Sequence, residues 1–329
     1  MIGTEFLYGQ GLGNQLFCYV TTRSLALDKG YGFGTIGRQY FGDRRYSDAG
    51  GSFFKNLDLG ADCRHEDFSE TYQEASQRVY QPTSRHDRKH GCDISMHDPC
   101  LAQVVDGTLV KGILQSETYF LHRKREIGEW LAVDSGFDSY DYCDDDLCIL
   151  NMRGGEYVAH EELYLPRSYW MHGMANMRKV NPRMRFMVVT EDVKSAKRIL
   201  PEVPAYHFGL ARDYVSLKNA RHLILSNSSF AFFPVFTSSV LRSVIAPKYW
   251  ARHNVSDGYW STAQNIYSGW MYQDRAGVLS NGDDCRDEFV RYLKASGIYE
   301  RESRPIGDTA FQFLAHIAKR GTRRLLGER

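Results

Sequence analysis

The sequence has no long hydrophobic run. A membrane-spanning helix needs about 18 consecutive apolar residues, and no segment of the sequence approaches that length. Residues 1–17 contain neither the basic stretch nor the apolar segment of a secretory signal peptide, so we expect a cytoplasmic protein. An excess of charge of one sign is missing too, because 41 Lys and Arg residues face 40 Asp and Glu residues. A net charge of +1 gives no basic field for nucleic acid, so we expect no nucleic-acid partner.

Cysteine is sparse and irregularly placed. The 329 residues include seven cysteines, an odd number, with no CxxC pair and no Cys and His spacing typical of a zinc finger. We therefore expect reduced thiols and no structural metal site. The 43% of hydrophobic and 25% of charged residues exclude a disordered chain, a collagen-like repeat and a small disulfide-stabilised protein.

Aromatic residues are abundant, with 21 Tyr, 18 Phe and 5 Trp. Such rings either fill a core or line a binding cleft, and composition alone favours the core. The length favours two domains, because a domain typically has about 100–200 residues.

The first half begins with the pattern of a βαβ unit. Residues 4–8 predict a strand, residues 9–13 a glycine-rich turn and residues 14–28 an amphipathic helix. The pattern weakens over residues 30–106, which we expect to be irregular loops and helices around a substrate cleft. A strand at 108–114 and a helical stretch at about 117–133 follow.

The second half alternates apolar runs with helical stretches. The runs at 147–152, 185–190, 222–226 and 243–246 are typical of buried parallel strands. We therefore predict an α/β fold with two Rossmann-like, doubly wound domains facing a cleft. The acidic run at 141–146 marks the boundary between them, or is simply a solvated loop.

The turns that follow predicted strands are the candidate binding segments, because ligands of such sheets bind at the carboxyl ends of strands. In the first turn, Asn14 and Leu16 occupy positions where a dinucleotide fingerprint requires glycine, and no Walker pattern occurs. This disfavours an NAD-linked oxidoreductase. What remains is a tight turn at a helix N-terminus, which suits a phosphate or sugar hydroxyls.

Three later turns carry polar and charged residues. Residues 151–157 supply Arg153 and Glu156 beside two glycines, residues 190–192 a carboxylate pair and residues 226–230 hydroxyl groups. Each has a plain structural alternative. The first could be a surface salt bridge, and the other two could simply cap helices.

The ordered turns resemble a known family. GLGNQLF at 11–17, GILQSETYF at 112–120, NMRGGEY at 151–157 and DYVSLKNARHLILSNSSF at 213–230 are similar to motifs of glycosyltransferase family eleven, the α-1,2-fucosyltransferases of bacterial type. The resemblance implies a GT-B-like fold, GDP-β-L-fucose as donor and inverting transfer to the 2-hydroxyl of a galactoside. It also implies that no cofactor or metal ion is needed.

The sequence departs from the family at several positions. Asn151, Gly154 and Glu156 stand where the family has His, Arg and Asp, and the segment after Phe230 lacks the family's Trp-Trp-Gly. Two alternatives therefore stay open: a relative that uses another GDP-sugar or acceptor, and a catalytically inactive protein that binds nucleotide or glycan.

The resemblance suggests roles for Arg153 and Glu156, and the chemistry of transfer from a nucleotide sugar suggests roles for the other residues. Arg153 meets the donor diphosphate, and Glu156 is the candidate general base, with His160 or a diphosphate oxygen as alternatives. Asn14 and Gln15 would orient the phosphate or the sugar, and Glu191 or Asp192 would accept hydrogen bonds from guanine. The predicted donor-binding residues are Gly11, Gly13, Asn14, Gln15, Asn151, Glu191, Asp192, Asn227, Ser228, Ser229 and Phe230.

The expected partners are a nucleotide sugar and a glycan acceptor, which could be lipid-linked. We assign 1–146 to an N-terminal domain with acceptor-side loops, 147–300 to a donor-binding domain and 301–329 to a helical tail. The tail is basic and amphipathic from residue 308, so it either lies peripherally on an anionic membrane surface or packs back on the protein. A glycosylation sequon at Asn227 would lie inside the donor site, which favours a cytoplasmic protein.

Overall fold

A computed structural model describes residues 1–42, 53–79, 92–256 and 258–295. Within these ranges its first sheet has five parallel strands: Ile2–Glu5 (β1), Phe33–Ile36 (β2), Ala61–Asp62 (β3), Glu70–Gln73 (β4) and Thr108–Lys111 (β7). Their spatial order is β3-β2-β1-β7-β4. A separate antiparallel pair, Ser76–Val79 (β5) and Cys92–Ser95 (β6), follows β4 in the sequence.

Helix α1, Leu12–Asp28, connects β1 to β2 as the crossover of a βαβ unit. Parallel strands require such a crossover, because a tight hairpin can join only antiparallel strands. Most of the helix is buried, and its Cys18 and Ala26 pack with Ile2 and Val110 of the sheet. The predicted strand and helix are confirmed, but their limits differ from the prediction: β1 ends at Glu5 and the helix begins at Leu12.

The second sheet has seven strands among the described residues, in the order β10-β9-β8-β11-β12-β13-β14. All neighbours are parallel except β13 and β14. The strands are Leu147–Asn151 (β8), Arg185–Val189 (β9), Ala205–Tyr206 (β10), His222–Leu225 (β11), Ser243–Pro247 (β12), Met271–Gln273 (β13) and Leu279–Asn281 (β14). The helices after α1 are Lys124–Trp130 (α2), Arg167–Val180 (α3), Val193–Ile199 (α4), Leu210–Lys218 (α5), Phe232–Phe236 (α6) and Gly282–Ala295 (α7).

Alternate residues of β8 enter two different cores. Cys148 and Leu150 belong to the cluster that contains Tyr169 of α3, whereas Ile149 belongs to the cluster that contains Tyr214 of α5. Because successive side chains of a strand point to opposite faces, the second sheet is covered by helices on both sides. The predicted α/β fold class, with two Rossmann-like units, is therefore confirmed.

The expectation of irregular structure over 30–106 is wrong in part. This region contains β2, β3 and β4, which are two to four residues long and hold Gly, Thr, Asp and Glu. Such short, polar strands give no apolar run to detect. The helical stretch expected at 117–133 is α-helical only in α2 and begins with two 3₁₀ turns, Glu117–Tyr119 and Leu121–Arg123.

The aromatic residues mainly build a core that both halves share. The ring of Phe17 lies 4.7 Å from that of Phe232 and 4.9 Å from that of Phe233. Phe120 joins the same cluster. The limits predicted for the domains, 1–146 and 147–300, stay a prediction, and the tail at 301–329 lies outside the described residues. No helix in the described ranges is both long and apolar enough to cross a bilayer.

Candidate active site

The N-terminus of α1 meets the turn after β11. A β-carbon at Gly13 would collide with the backbone of Ser229 and Phe230, so only glycine lets the two segments approach this closely. Helix α1 follows β1 and the 3₁₀ turn Ser229–Ala231 follows β11. The carboxyl ends of the two sheets therefore meet at this contact.

The side chain of Asn14 joins the two halves. Its Oδ1 accepts hydrogen bonds from Ser229 Oγ at 2.5 Å and from Gln115 Nε2 at 2.9 Å. These donors fix the carboxamide with its oxygen toward the protein. Within the described ranges its Nδ2 makes no hydrogen bond, so this N–H group is available to a ligand acceptor.

Gln15 lies in the interior. Its Nε2 donates to the Tyr40 carbonyl at 2.7 Å, and its Oε1 accepts from the Gly42 N–H at 2.8 Å. These two bonds hold the loop after β2 against α1. The contacts favour a structural role for Gln15, and its predicted donor contact stays a prediction.

The turn after β11 contains buried polar groups. Ser228 caps the 3₁₀ turn by accepting from the Phe230 N–H, and Asn227 Nδ2 donates to the Leu163 carbonyl at 3.2 Å. Asn227 Oδ1 and Ser226 Oγ are buried with no hydrogen-bond partner among the described residues. Unpaired buried polar atoms at a strand end are consistent with a ligand or water there. Asn227 is 3% exposed, which leaves no room for a glycan on the folded protein.

Arg153, three residues before Glu156, sits between two carboxylates. Its Nη2 lies 2.5 Å from Glu156 Oε1, and its Nη1 lies 3.0 Å from Glu191 Oε1. Burial disfavours the charge, but Glu191 and Glu156 outweigh it and raise the pKa of Arg153 above its usual range. The guanidinium therefore stays charged at every physiological pH. Its carbon lies 5.6 Å from the centre of the Tyr157 ring.

Asp192 caps α4, which was the structural alternative to ligand binding for this turn. Its Oδ1 accepts from the Ser195 N–H at 3.0 Å, and its Oδ2 accepts from the Gly155 N–H at 3.1 Å. Burial opposes its ionisation, but these hydrogen bonds prevail and hold the pKa of Asp192 below the ordinary value. With both oxygens occupied, Asp192 fits its predicted guanine contact less well than Glu191 does.

Gly154 faces Asp192 directly. A β-carbon at Gly154 would lie 2.5 Å from the Asp192 β-carbon, closer than packing allows. A larger residue at position 154, such as the arginine of the resembled family, would therefore push against this helix cap. Asn151, the other departure, is buried at the end of β8, where its Nδ2 donates to the Val189 carbonyl at 3.2 Å.

The predicted residues form two groups at neighbouring strand ends. Leu225 of β11 pairs with Asn151 of β8, so the turn at 226–230 and the turn at 151–157 leave the sheet side by side. His160 follows the 3₁₀ turn Gly155–Ala159. The first group contains Gly11, Gly13, Asn14, Asn227, Ser228, Ser229 and Phe230, and the second contains Asn151, Arg153, Glu156, Glu191 and Asp192.

Sequence reasoning gave no role to the pair of His207 and Asp213. His207 Nδ1 lies 2.6 Å from Asp213 Oδ2, and the Phe208 N–H donates to Asp213 Oδ1 at 2.9 Å. Burial raises the pKa of Asp213 to about 6, although these hydrogen bonds oppose the shift. The sequence signal that could have pointed to Asp213 is its position as the first residue of the fourth motif.

No group of three or more His, Cys, Asp or Glu side chains is arranged to hold a metal ion in the described ranges. Gln115, in the second motif, is a further residue missed by sequence reasoning, which treated that motif only as part of the resemblance. Its contact with Asn14 depends on the fold, because 101 positions separate the two.

No family model and no curated protein matches the chain. Among solved structures, a NodZ α-1,6-fucosyltransferase soaked with GDP-fucose is 12% identical with a TM-score of 0.42, covering 75% of this chain and 94% of that one. POFUT1 in complex with GDP is 8% identical with a TM-score of 0.39, covering 74% and 97%. A family 9 glycosyl transferase from Veillonella parvula DSM 2008 is 11% identical with a TM-score of 0.39, covering 89% and 96%. These are distant likenesses, and the α/β fold class rests on the sheet topology described above.

Proposed function

We propose that this chain is an inverting glycosyltransferase that moves L-fucose from GDP-β-L-fucose to the 2-hydroxyl of a galactoside. The observation that carries the proposal is the contact of Asn14 with Ser229. It joins two of the four family-like motifs into one polar site at the carboxyl ends of both sheets. Ligands of open α/β sheets bind at this edge.

The diphosphate of the donor would bind at this site. The N-terminus of α1 has no side-chain cap, and Asn14 Nδ2 beside it is a second available donor. Helix N-terminal N–H groups attract anions. Arg153, on the neighbouring strand end, would supply the cation and can bind two phosphate oxygens at once.

Arg153 would exchange partners when the donor binds. Glu156 is the more exposed of its two carboxylates, at 42% against 20% for Glu191, so phosphate oxygens displace Glu156 first. A carboxylate paired with arginine is a weak base, because the positive charge disfavours protonation. Once Arg153 has turned to the donor, Glu156 Oε1 would be placed to accept the acceptor's hydroxyl proton.

The transfer then proceeds in one displacement. The acceptor hydroxyl oxygen bonds to C1 of fucose, while the bond from C1 to the diphosphate oxygen breaks and GDP leaves with that electron pair. Glu156 takes the hydroxyl proton, and Arg153 with the N–H donors stabilises the charge that develops on GDP. This scheme needs neither a metal ion nor a cofactor.

Kinetics of Arg153→Ala and Glu156→Ala test these roles, with GDP release from GDP-fucose as the readout. Removing Arg153 should raise KM for the donor and lower kcat, whereas removing Glu156 should lower kcat with donor affinity kept or improved. An Arg153→Ala protein that keeps most of its activity would contradict the scheme.

A protein that binds GDP-sugar without transferring the sugar is the second candidate. It is favoured by Asn151, whose buried amide offers no titratable group where the family has histidine. Calorimetry that detects GDP-fucose binding, together with no GDP release on any galactoside, would establish it. A panel of GDP-sugars separates a change of donor from loss of activity.

Contact of the tail with a membrane, and with it a lipid-linked acceptor, remains part of the proposal. Flotation with anionic liposomes of the full chain and of a chain ending at residue 305 tests it. Equal behaviour of the two would remove the membrane contact.

A further inference from the structure

Glu74 is a fully buried carboxylate directly after β4. Its relative exposure is 0%, and four donors surround it. Oε2 accepts from the Ile113 and Leu114 N–H groups at 2.9 and 2.8 Å. Oε1 accepts from Tyr119 Oη at 2.9 Å and from Gln264 Nε2 at 2.6 Å. Both oxygens are therefore fully used inside the protein.

These bonds form the first link of a chain that ends at Asn14. Gln264 Nε2 donates to Glu74 and, at 3.1 Å, to the Met96 carbonyl, so Gln264 Oε1 accepts from the Gln115 backbone N–H at 3.3 Å. Gln115 Oε1 accepts from Asn265 Nδ2 at 3.0 Å, which leaves Gln115 Nε2 to donate to Asn14 Oδ1. Glu74 and Gln264 therefore hold the backbone at Leu114 and Gln115, and Asn265 sets the orientation of the Gln115 side-chain amide.

The loop after β7 is shaped around this carboxylate. A β-carbon at Gly112 would lie 2.5 Å from the Glu74 β-carbon, so glycine is needed there. Leu114 has φ of 53°, a left-handed conformation that is rare for a residue other than glycine. The bond from its N–H to Glu74 helps to hold this strained backbone just before Gln115.

We propose that Glu74 is a positioning residue of the donor site: it holds the backbone at residues 113–115, from which the Gln115 side chain fixes the amide of Asn14. The role rests on the proposed function, since the ligand of Asn14 Nδ2 is taken to be the donor diphosphate. Glu74 itself touches no substrate.

The experiment compares Glu74→Gln with Glu117→Gln. Glu117 is a matched control, because it is also buried and, like Glu74, accepts hydrogen bonds from the segment at 264–268. Its Oε1 accepts from the Ser268 N–H and Oγ. The bonds of Glu117 do not lead to Asn14. An amide at position 74 places one donor against donors already present, so the backbone at 113–115 and the amide of Gln264 must shift.

Two readouts are used. The NMR resonance of the Asn14 side-chain amide is assigned from its disappearance in Asn14→Asp. This resonance should shift in Glu74→Gln and stay in place in Glu117→Gln. GDP affinity, measured by calorimetry, should fall by about tenfold in Glu74→Gln and change by less than about twofold in Glu117→Gln. The exchanged pair Glu74→Gln with Gln264→Glu should regain part of the affinity.

Gln264→Ala is the second variant if Glu74→Gln does not fold, because it leaves Glu74 with three of its donors. It should shift the same Asn14 resonance. An unmoved Asn14 resonance in these variants, or equal losses of GDP affinity in Glu74→Gln and Glu117→Gln, would overturn the proposal. Absence of GDP binding by the wild-type protein, with the resonance shift present, would instead refute the proposed function.

Discussion

Ser229 Oγ donates a 2.5 Å hydrogen bond to Asn14 Oδ1, and 215 positions of sequence separate the two residues. The bond unites the glycine-rich turn of the first half with the serine-rich turn of the second. It occupies the oxygen of Asn14 and leaves the nitrogen as a donor. The proposed donor site therefore belongs to neither half alone.

Asn14→Asp should strongly weaken donor binding while the fold is kept. Aspartate can still accept from Ser229 and Gln115, but it presents a negative oxygen where asparagine presents an N–H group. Loss of a hydrogen bond to a charged group, about 1.5–3 kcal/mol, and the added repulsion should weaken GDP binding by at least about 100-fold. Calorimetry measures this, and undiminished affinity would remove Asn14 from the site.

Gly13→Ala should separate α1 from the turn after β11, because its β-carbon would collide with Ser229 and Phe230. We expect a loss of about 2 kcal/mol or more in the free energy of unfolding, together with weaker GDP binding. Gly11→Ala is the matched control, since nothing lies within 4 Å of a β-carbon there. Urea unfolding should show only a small loss of unfolding free energy for Gly11→Ala. Equal losses of unfolding free energy in the two variants would contradict the close approach of Gly13 to the Ser229 backbone.

Gly154→Arg, which restores the residue of the resembled family, should not raise activity. Its β-carbon would displace Asp192 from the cap of α4, and a lost cap costs about 1 kcal/mol. Thermal unfolding should show a lower midpoint. Gly128→Ala, where a β-carbon meets nothing within 4 Å, should be neutral or stabilising. A more active, undestabilised Gly154→Arg protein would refute this account.

The free energy of unfolding should depend on pH because of Asp213. Burial raises its pKa from 3.8 to about 6, so the folded state holds this proton more tightly than the unfolded state. The resulting stabilisation is present below pH 4 and is lost as the pH rises through 6. Relative to Asp213→Asn, the wild-type protein should lose about 1–3 kcal/mol between pH 4 and 7. Urea unfolding at both pH values checks the sign, and a gain would contradict it.

Long apolar runs made the second sheet predictable, because strands such as β8 are buried on both faces and contain few polar residues. Short strands such as β3, with both residues exposed, leave no such pattern. Arg153, Glu156 and Glu191 could be predicted as site residues because they follow predicted strands, and their roles stay predictions. Glu74 could not be predicted, since its contact with Gln264, 190 positions away in the sequence, depends on the fold.

Transfer from GDP-fucose to a small galactoside tests the central claim most directly. GDP release by the wild-type and Arg153→Ala proteins should be measured, and the linkage of the product determined by NMR. The account predicts release that depends on the galactoside, a new bond to its 2-hydroxyl and a rate at least about 100-fold lower for Arg153→Ala. Release that is absent for the wild-type protein, or unchanged in Arg153→Ala, would contradict it.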